Sequence, residues 1–128
     1  MTVLLDTDVL IDCLRGTPAA RVWLEQAESQ AFQVPGVVAM ELLMGCRNKV
    51  ELERARQFLH AFGIAWPEAS EFALAYKLLA ARHLSSGLGI PDCLVAAMAL
   101  SRSARLYTFN LKHLQTIEGL DVHAPYAR

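Results

Sequence analysis

Val3-Leu4-Leu5-Asp6-Thr7-Asp8-Val9-Leu10-Ile11 is the stretch of this sequence that predicts its fold. Its first three residues form a continuous apolar run without polar alternation, which is typical of a strand buried on both faces of a parallel sheet. In open α/β sheets, residues that follow the carboxyl end of such a strand lie where ligands bind. Asp6 occupies that position, and a helix that ends at Gly16 is predicted to follow at once, with Asp8, Asp12 and Arg15 on its polar face.

Strand and helix signals alternate along the rest of the chain. Short apolar runs predict further strands near residues 31–34, 64–66, 106–108 and 122, and helical patterns lie between them. This alternation predicts a single domain of residues 1–128 in the α/β class. We expect a three-layer α/β/α sandwich around a central, mainly parallel sheet.

Composition restricts the class of protein. The chain is 54% hydrophobic and 20% charged, yet its longest apolar run, Cys93 to Leu100, is too short to span a bilayer. The first eight residues include acids and no basic start, so no signal peptide is expected. Three widely spaced cysteines in apolar contexts are typical of reduced core residues, which favours the cytoplasm. A net charge of −1 neither demands nor excludes a polyanionic partner.

Three acids stand at positions where a structural explanation competes with a functional one. Glu41 is the only charge in an apolar helical stretch, where burial of a carboxylate is costly unless it is paired or bound to a metal. Alternatively, Glu41 points into solvent from a half-exposed helix. Asp92 begins another apolar helix, where an acid commonly complements the helix dipole. Asp6 could equally be a helix cap.

The combination of these acids favours the functional explanation. Asp6, Glu41 and Asp92 are expected to meet at one edge of the sheet, and no cluster of His or Cys accompanies them in the sequence. Ligation by oxygen alone favours Mg²⁺, or Mn²⁺ as a substitute, over zinc. A carboxylate-bound Mg²⁺ commonly acts on phosphate esters.

Four blocks of the chain resemble the PIN-domain ribonucleases, and in particular the toxins of VapBC toxin–antitoxin pairs. The blocks are Leu4 to Ile11, Ala39-Met40-Glu41-Leu42-Leu43-Met44-Gly45, Ile90-Pro91-Asp92-Cys93-Leu94-Val95-Ala96-Ala97, and Leu106-Tyr107-Thr108-Phe109-Asn110 with the tail Ile117-Glu118-Gly119-Leu120. They occur in order and span nearly the whole chain.

The resemblance implies a Mg²⁺- or Mn²⁺-dependent endoribonuclease that cleaves single-stranded or looped RNA, forms a homodimer and is restrained by a cognate antitoxin. It implies that Asp6, Glu41 and Asp92 are the metal-binding and catalytic acids, with Thr7 as a small polar neighbour. Leu14, Trp23 and Leu24, with the helix of Leu52 to Phe62, could form an apolar groove for the antitoxin; alternatively these residues fill the core, as some of them must.

One block departs from the family pattern. After the fourth strand the family often has Thr-x-Asp/Asn-x-x-Asp, whereas this chain has Thr108-Phe109-Asn110-Leu111-Lys112-His113. Asn110 could offer a carbonyl oxygen or hold a metal-bound water, and we include it among the catalytic residues. His113 could bind Mn²⁺ or contact a phosphate. Either residue could equally be structural.

Three other functions were compared with this one. Haloacid-dehalogenase-type phosphatases share an early Asp-x-Asp, but they need Thr or Val where Leu10 stands and a late acidic pair that this sequence lacks. Receiver domains need an Asp after the third strand, where Trp66-Pro67 stands. A catalytically weak PIN-fold protein that binds RNA or a partner is the alternative that the missing fourth acid favours.

Overall fold

A computed structural model describes residues 2–27 and 31–128 of the chain. The strands in this part of the chain are β1 (Thr2–Leu5), β2 (Ala31–Pro35), β3 (Ile64–Ala65), β4 (Arg105–Tyr107) and β5 (Val122–His123). The helices are α1 (Thr7–Arg15), α2 (Pro18–Gln26), α3 (Gly36–Met44), α4 (Lys49–Phe62), α5 (Ala69–Ser86), α6 (Ile90–Ser101) and α7 (Leu111–Leu114). None of these helices is long and apolar enough to cross a membrane.

The strands form one sheet in the order β3-β2-β1-β4-β5, and all four pairings between them are parallel. Val3, Leu4 and Leu5 are each fully buried. Because successive side chains of a strand point to opposite faces, both faces of β1 are covered by other elements. The predicted α/β sandwich with a buried first strand is confirmed.

The order of the strands creates a switch point beside β1. The chain builds β2 and β3 on one side of β1 and then returns to place β4 on the other side. In open α/β sheets, the crevice at the carboxyl ends of the strands beside such a reversal is the usual place for a ligand site. Here the crevice lies between the carboxyl ends of β1 and β4.

The helix that follows β1 differs from its prediction on the polar face. It ends as expected at Gly16, which adopts a left-handed conformation with φ of 69°. Asp12, however, is buried rather than exposed, since its carboxylate accepts a hydrogen bond from the Tyr126 hydroxyl at 2.9 Å. Helical spacing correctly predicted the side of α1 on which Asp12 lies. It could not show that Tyr126, 114 residues away in sequence, covers that side.

The predicted groove residue Trp23 is in the core. It is 9% exposed, and its ring packs against the rings of Phe32 and Tyr107 at centroid distances of 5.2 and 5.0 Å. The prediction that Trp23 lines an open groove is therefore wrong. Apolar spacing on α2 could not distinguish a residue facing a partner from one facing the sheet.

Candidate active site

Asp6 lies at the carboxyl end of β1 and is the N-cap of α1. Its backbone N–H donates to the carbonyl of Tyr107 in the neighbouring strand at 3.0 Å, which fixes Asp6 at the switch point. Its Oδ1 accepts the N–H of Thr7 at 2.8 Å, and its Oδ2 accepts the hydroxyl of Thr108 at 2.8 Å. Asp6 therefore both caps α1 and lies in the crevice at the strand ends.

The pKa of Asp6 is raised to about 6 from its ordinary value of 3.8. Burial is the main cause, and the negative charges of Asp8 and Asp92 add to it, while the hydrogen bonds from Thr108 and Thr7 act in the opposite direction. The rise therefore reports mainly that Asp6 is buried, and only in second place that other carboxylates lie near it.

Glu41 is directed toward the same place from α3. Its side chain is half-buried, and its Oε1 accepts the hydroxyl of Thr7 at 3.0 Å. Thr7 thus joins the first acid and the second, with its backbone N–H on Asp6 and its hydroxyl on Glu41. The alternative in which Glu41 points into solvent on the far side of α3 does not describe this structure.

Asp92 is in the first turn of α6. Its Oδ2 accepts the backbone N–H of Gly89 at 3.3 Å, as expected for an acid at a helix start, and its charge contributes to the raised pKa of Asp6. In the part of the chain that the structure describes, no three side chains of His, Cys, Asp or Glu form a group that could hold one metal ion as they stand. The acids are neighbours rather than a closed set of ligands.

Asn110 and His113 contact each other rather than an acid. The Asn110 side-chain oxygen lies 3.0 Å from Nδ1 of His113, and the Asn110 backbone N–H donates to the Thr108 hydroxyl oxygen at 3.0 Å. Asn110 is therefore connected to Asp6 through Thr108. This arrangement fixes the turn that leads from β4 into α7.

Asp8 and Thr108 are parts of the site that the sequence did not single out. Thr108 is fully buried at the end of β4. Oδ2 of Asp8 accepts the Phe109 N–H at 3.1 Å, and Oδ1 of Asp8 is buried without a hydrogen-bond partner in the structure. The pKa of Asp8 is raised, mainly by burial. The signal for them was position, since Thr108 follows β4 directly and Asp8 is three residues beyond the end of β1.

Replacing Thr108 by valine tests whether the Thr108 hydroxyl organises the acids. The change preserves shape but removes the hydroxyl, so Oδ2 of Asp6 and the N–H of Asn110 each lose a partner. We expect the free energy of unfolding to fall by about 2 kcal/mol, and the pKa of Asp6 to rise further. Urea unfolding and an NMR titration of Asp6 measure the two effects.

Thr116→Val is the matched control, because the Thr116 hydroxyl donates to the carbonyl of His113 at an exposed site. The control should change neither quantity appreciably. Equal effects of the two substitutions would show that the Thr108 hydroxyl does not organise the acids.

Comparisons with known proteins concern the family and the fold of the chain. The model of the PIN domain family matches residues 3–118. Ribonuclease VapC19 of Mycobacterium tuberculosis is 35% identical over 128 residues, which cover 96% of this chain and 98% of that protein. Ribonuclease VapC10 of the same organism is 32% identical over 120 residues, covering 92% of this chain and 90% of that protein.

Solved structures show the same fold. A chain in the crystal structure of VapBC2 from Rickettsia felis, bound to a DNA fragment from their promoter, superposes with a TM-score of 0.82 at 22% identity, covering 97% of this chain and 98% of that one. A chain in a toxin–antitoxin complex from Klebsiella pneumoniae superposes with a TM-score of 0.78 at 25% identity, covering 98% and 99%.

Proposed function

The chain belongs to the PIN-domain family, and from that premise we propose that it is a metal-dependent endoribonuclease and the toxin of a type II toxin–antitoxin pair. The observation that carries the proposal is the group of acids around Asp6 at the switch point of the sheet, with Glu41 joined to it through Thr7. The two similar proteins from Mycobacterium tuberculosis bear the name ribonuclease, which supports RNA as the substrate.

The residues present fit a hard divalent cation. The side chains offer carboxylate oxygens, which Mg²⁺ and Mn²⁺ prefer. The buried Oδ1 of Asp8 has no hydrogen-bond partner among the described residues, so one carboxylate oxygen beside Asp6 is left for a ligand. Asp6, Glu41 and Asp92 would hold the ion. Bound there, it would supply an activated water and stabilise charge on the phosphodiester.

The carboxylates of Asp6 and Asp92 differ in whether they have an oxygen free to accept a proton. Both oxygens of Asp6 already accept hydrogen bonds, from Thr7 and from Thr108. Asp92 uses Oδ2 for the N–H of Gly89, while its Oδ1 accepts no hydrogen bond from the described residues. We therefore assign Asp92 Oδ1 as the acceptor that orients and deprotonates the attacking water. Asn110 supports this arrangement by holding Thr108 in place.

A cavity beside the acids is suited to an antitoxin segment. It has a volume of about 680 Å³, lies between α1, α3 and α4, and reaches Glu41. Its lining combines apolar side chains with three arginines and two acids, of which Glu51 pairs with Arg47 at 3.2 Å: Ile11, Leu14, Leu42, Arg15, Arg47, Arg54, Glu41 and Glu51. We propose that an antitoxin places an apolar segment with acidic side chains here. Of the predicted groove, Leu14 and helix α4 line this cavity, whereas Trp23 and Leu24 do not.

An exposed apolar surface on α5 and α6 supports a homodimer. Phe72, Tyr76 and Ile90 are 52%, 74% and 63% exposed, and they surround a cavity of about 280 Å³. Contiguous exposed aromatic residues of this kind mark an interface more often than free surface. We propose that a second copy of the chain covers them.

Tyr76→Glu is expected to convert the dimer into a monomer, because it places a charge in the centre of this surface. Light scattering during gel filtration should give the 14.1 kDa chain mass instead of twice that value. Leu84→Glu is the control, since Leu84 is on the same helix, is 97% exposed and does not line the cavity. An unchanged mass for Tyr76→Glu would place the interface elsewhere.

Incubation of the purified protein with total cellular RNA tests the function. We expect discrete cleavage ends with Mg²⁺ or Mn²⁺ and intact RNA with EDTA, and sequencing of the ends identifies the substrate. The action is proposed for the cytoplasm, where the free cysteines Cys13, Cys46 and Cys93 stay reduced.

The alternative, a PIN-fold protein that binds RNA or a partner without cutting it, is favoured by the lack of a closed three-ligand group among the described residues. RNA binding without metal-dependent cleavage in the same assay would establish that alternative.

A further inference from the structure

The last residues of the chain fold back onto α1 and the turn after β4. The Tyr126 hydroxyl donates to Oδ2 of Asp12 at 2.9 Å, and Nη2 of Arg128 donates to Oδ1 of the same carboxylate at 3.2 Å. The Tyr126 ring packs against Phe109 at a centroid distance of 5.2 Å. A buried acid therefore anchors this segment through both of its oxygens.

The anchoring places a cation next to the acids. The Arg128 guanidinium lies 4.4 Å from the centre of the Phe109 ring, and Phe109 is the residue whose N–H binds Asp8. The Arg128 side chain is nevertheless 51% exposed, so its remaining N–H groups face solvent beside the site.

The pair with Asp12 does not use the whole guanidinium, because 51% of the Arg128 side chain remains exposed. A guanidinium that is stacked on a ring and oriented by a carboxylate loses little freedom when it binds a phosphate, and its planar fork matches phosphate oxygens. A polyanion that approaches several carboxylates also needs a fixed positive charge near them.

We propose that Arg128 is an RNA-binding residue whose guanidinium holds the phosphate of a nucleotide next to the one that is cleaved. The proposal rests on the proposed ribonuclease function and assigns to it a substrate contact that lies outside the acidic cluster. Asp12 and Phe109 are the residues that position it.

The test measures RNA binding in an Asp6→Asn background, so that cleavage does not interfere. The probe is a fluorescently labelled, single-stranded RNA of mixed sequence. Arg128→Gln should raise the Kd about tenfold and reduce the slope of log affinity against log salt by about 0.7, the value for one phosphate contact on a single strand. In the otherwise wild-type enzyme it should raise KM by a similar factor and change kcat much less.

Arg105→Gln is the matched control. Arg105 also pairs with a carboxylate at 3.2 Å, that of Asp121, but it begins β4 and so lies at the opposite edge of the sheet from Asp6. The two variants carry the same change of net charge. Equal losses for both, or an unchanged slope and KM for Arg128→Gln, would overturn the proposal.

Failure of the proposed function gives a different pattern. If the wild-type protein cleaves no RNA with either metal, the ribonuclease proposal fails. The change that Arg128→Gln causes in the salt slope, measured in the Asp6→Asn background, then still decides whether Arg128 contacts a phosphate. If the wild-type protein cleaves and Arg128→Gln behaves like the control, only the assignment of Arg128 is wrong.

Discussion

The Asp6→Asn variant is expected to keep its fold and to lose metal-dependent RNA cleavage by about two to four orders of magnitude. Asparagine retains an oxygen that can accept the N–H of Thr7, so the N-cap of α1 remains. The Thr108 hydroxyl can reverse its direction and accept from the new amide. What is lost is the negative charge that would hold the cation.

Glu53→Gln is the matched control for the lost charge, since Glu53 is exposed on α4 and pairs only with Arg56 among the described residues. It should cleave like the wild type. In cells, induced expression should arrest growth for the wild type and the control but not for Asp6→Asn. Undiminished cleavage by Asp6→Asn, in protein free of other nucleases, would disprove the assigned site.

When EDTA removes metal, the Asp6→Asn variant should be more stable than the wild type, by an amount that depends on pH. Asp6 ionises near 3.8 in the unfolded chain and near 6 in the folded protein, so its ionisation increasingly favours the unfolded state as the pH rises between these values. Asparagine removes this cost. The difference in unfolding free energy should be small below pH 4 and grow to at most about 3 kcal/mol above pH 6. Urea unfolding across this range measures it.

The sequence predicted the framework well because local rules dominate there. The unbroken run from Val3 to Leu5 identified the central strand, and Gly16 ended α1 as predicted, in a left-handed conformation. The ends of other elements were less predictable. Helix α6 stops at Ser101 with Arg102 as its C-cap, where no glycine or proline marks the end, and the short helix α7 was not predicted.

The site was predictable only in part, because its members meet across long separations. Position in the chain could place Asp6, Glu41 and Asp92 near one edge of the sheet. It could not show that the Thr108 hydroxyl, 102 residues away, would bind Asp6. Nor could helical spacing show that the face of α1 with Asp8 turns toward the strand ends. These are tertiary contacts, which no local pattern records.

The Arg102→Met variant is expected to be less stable by about 3 kcal/mol. Glu71 is 2% exposed on α5, and its two carboxylate oxygens accept hydrogen bonds from Nε and Nη2 of Arg102, each at 2.8 Å. Nη2 also donates to the carbonyl of Trp66 at 3.0 Å. Removing the guanidinium leaves a buried carboxylate without its cation and releases the end of α6 from α5.

The dependence on pH should weaken in this variant. In the wild type, the hydrogen bonds from Arg102 hold the pKa of Glu71 below its ordinary value of 4.5. The pair therefore stabilises the fold above that pH, and its contribution is lost as the pH falls through the lowered pKa. Without Arg102, burial acts against the remaining hydrogen bonds from Glu68 and Ser101, so acidification should lower the stability of the variant less than that of the wild type.

Urea unfolding near pH 7.5 and near pH 4 measures both effects. Arg56→Met is the control, because the pair of Arg56 with Glu53 is exposed, with 64% and 59% of the two side chains accessible, and its loss should change stability little. The double variant Glu71→Leu/Arg102→Met should recover much of the lost stability, since it leaves no unpaired charge. If Arg102→Met unfolds like Arg56→Met, the buried pair does not hold α5 and α6 together.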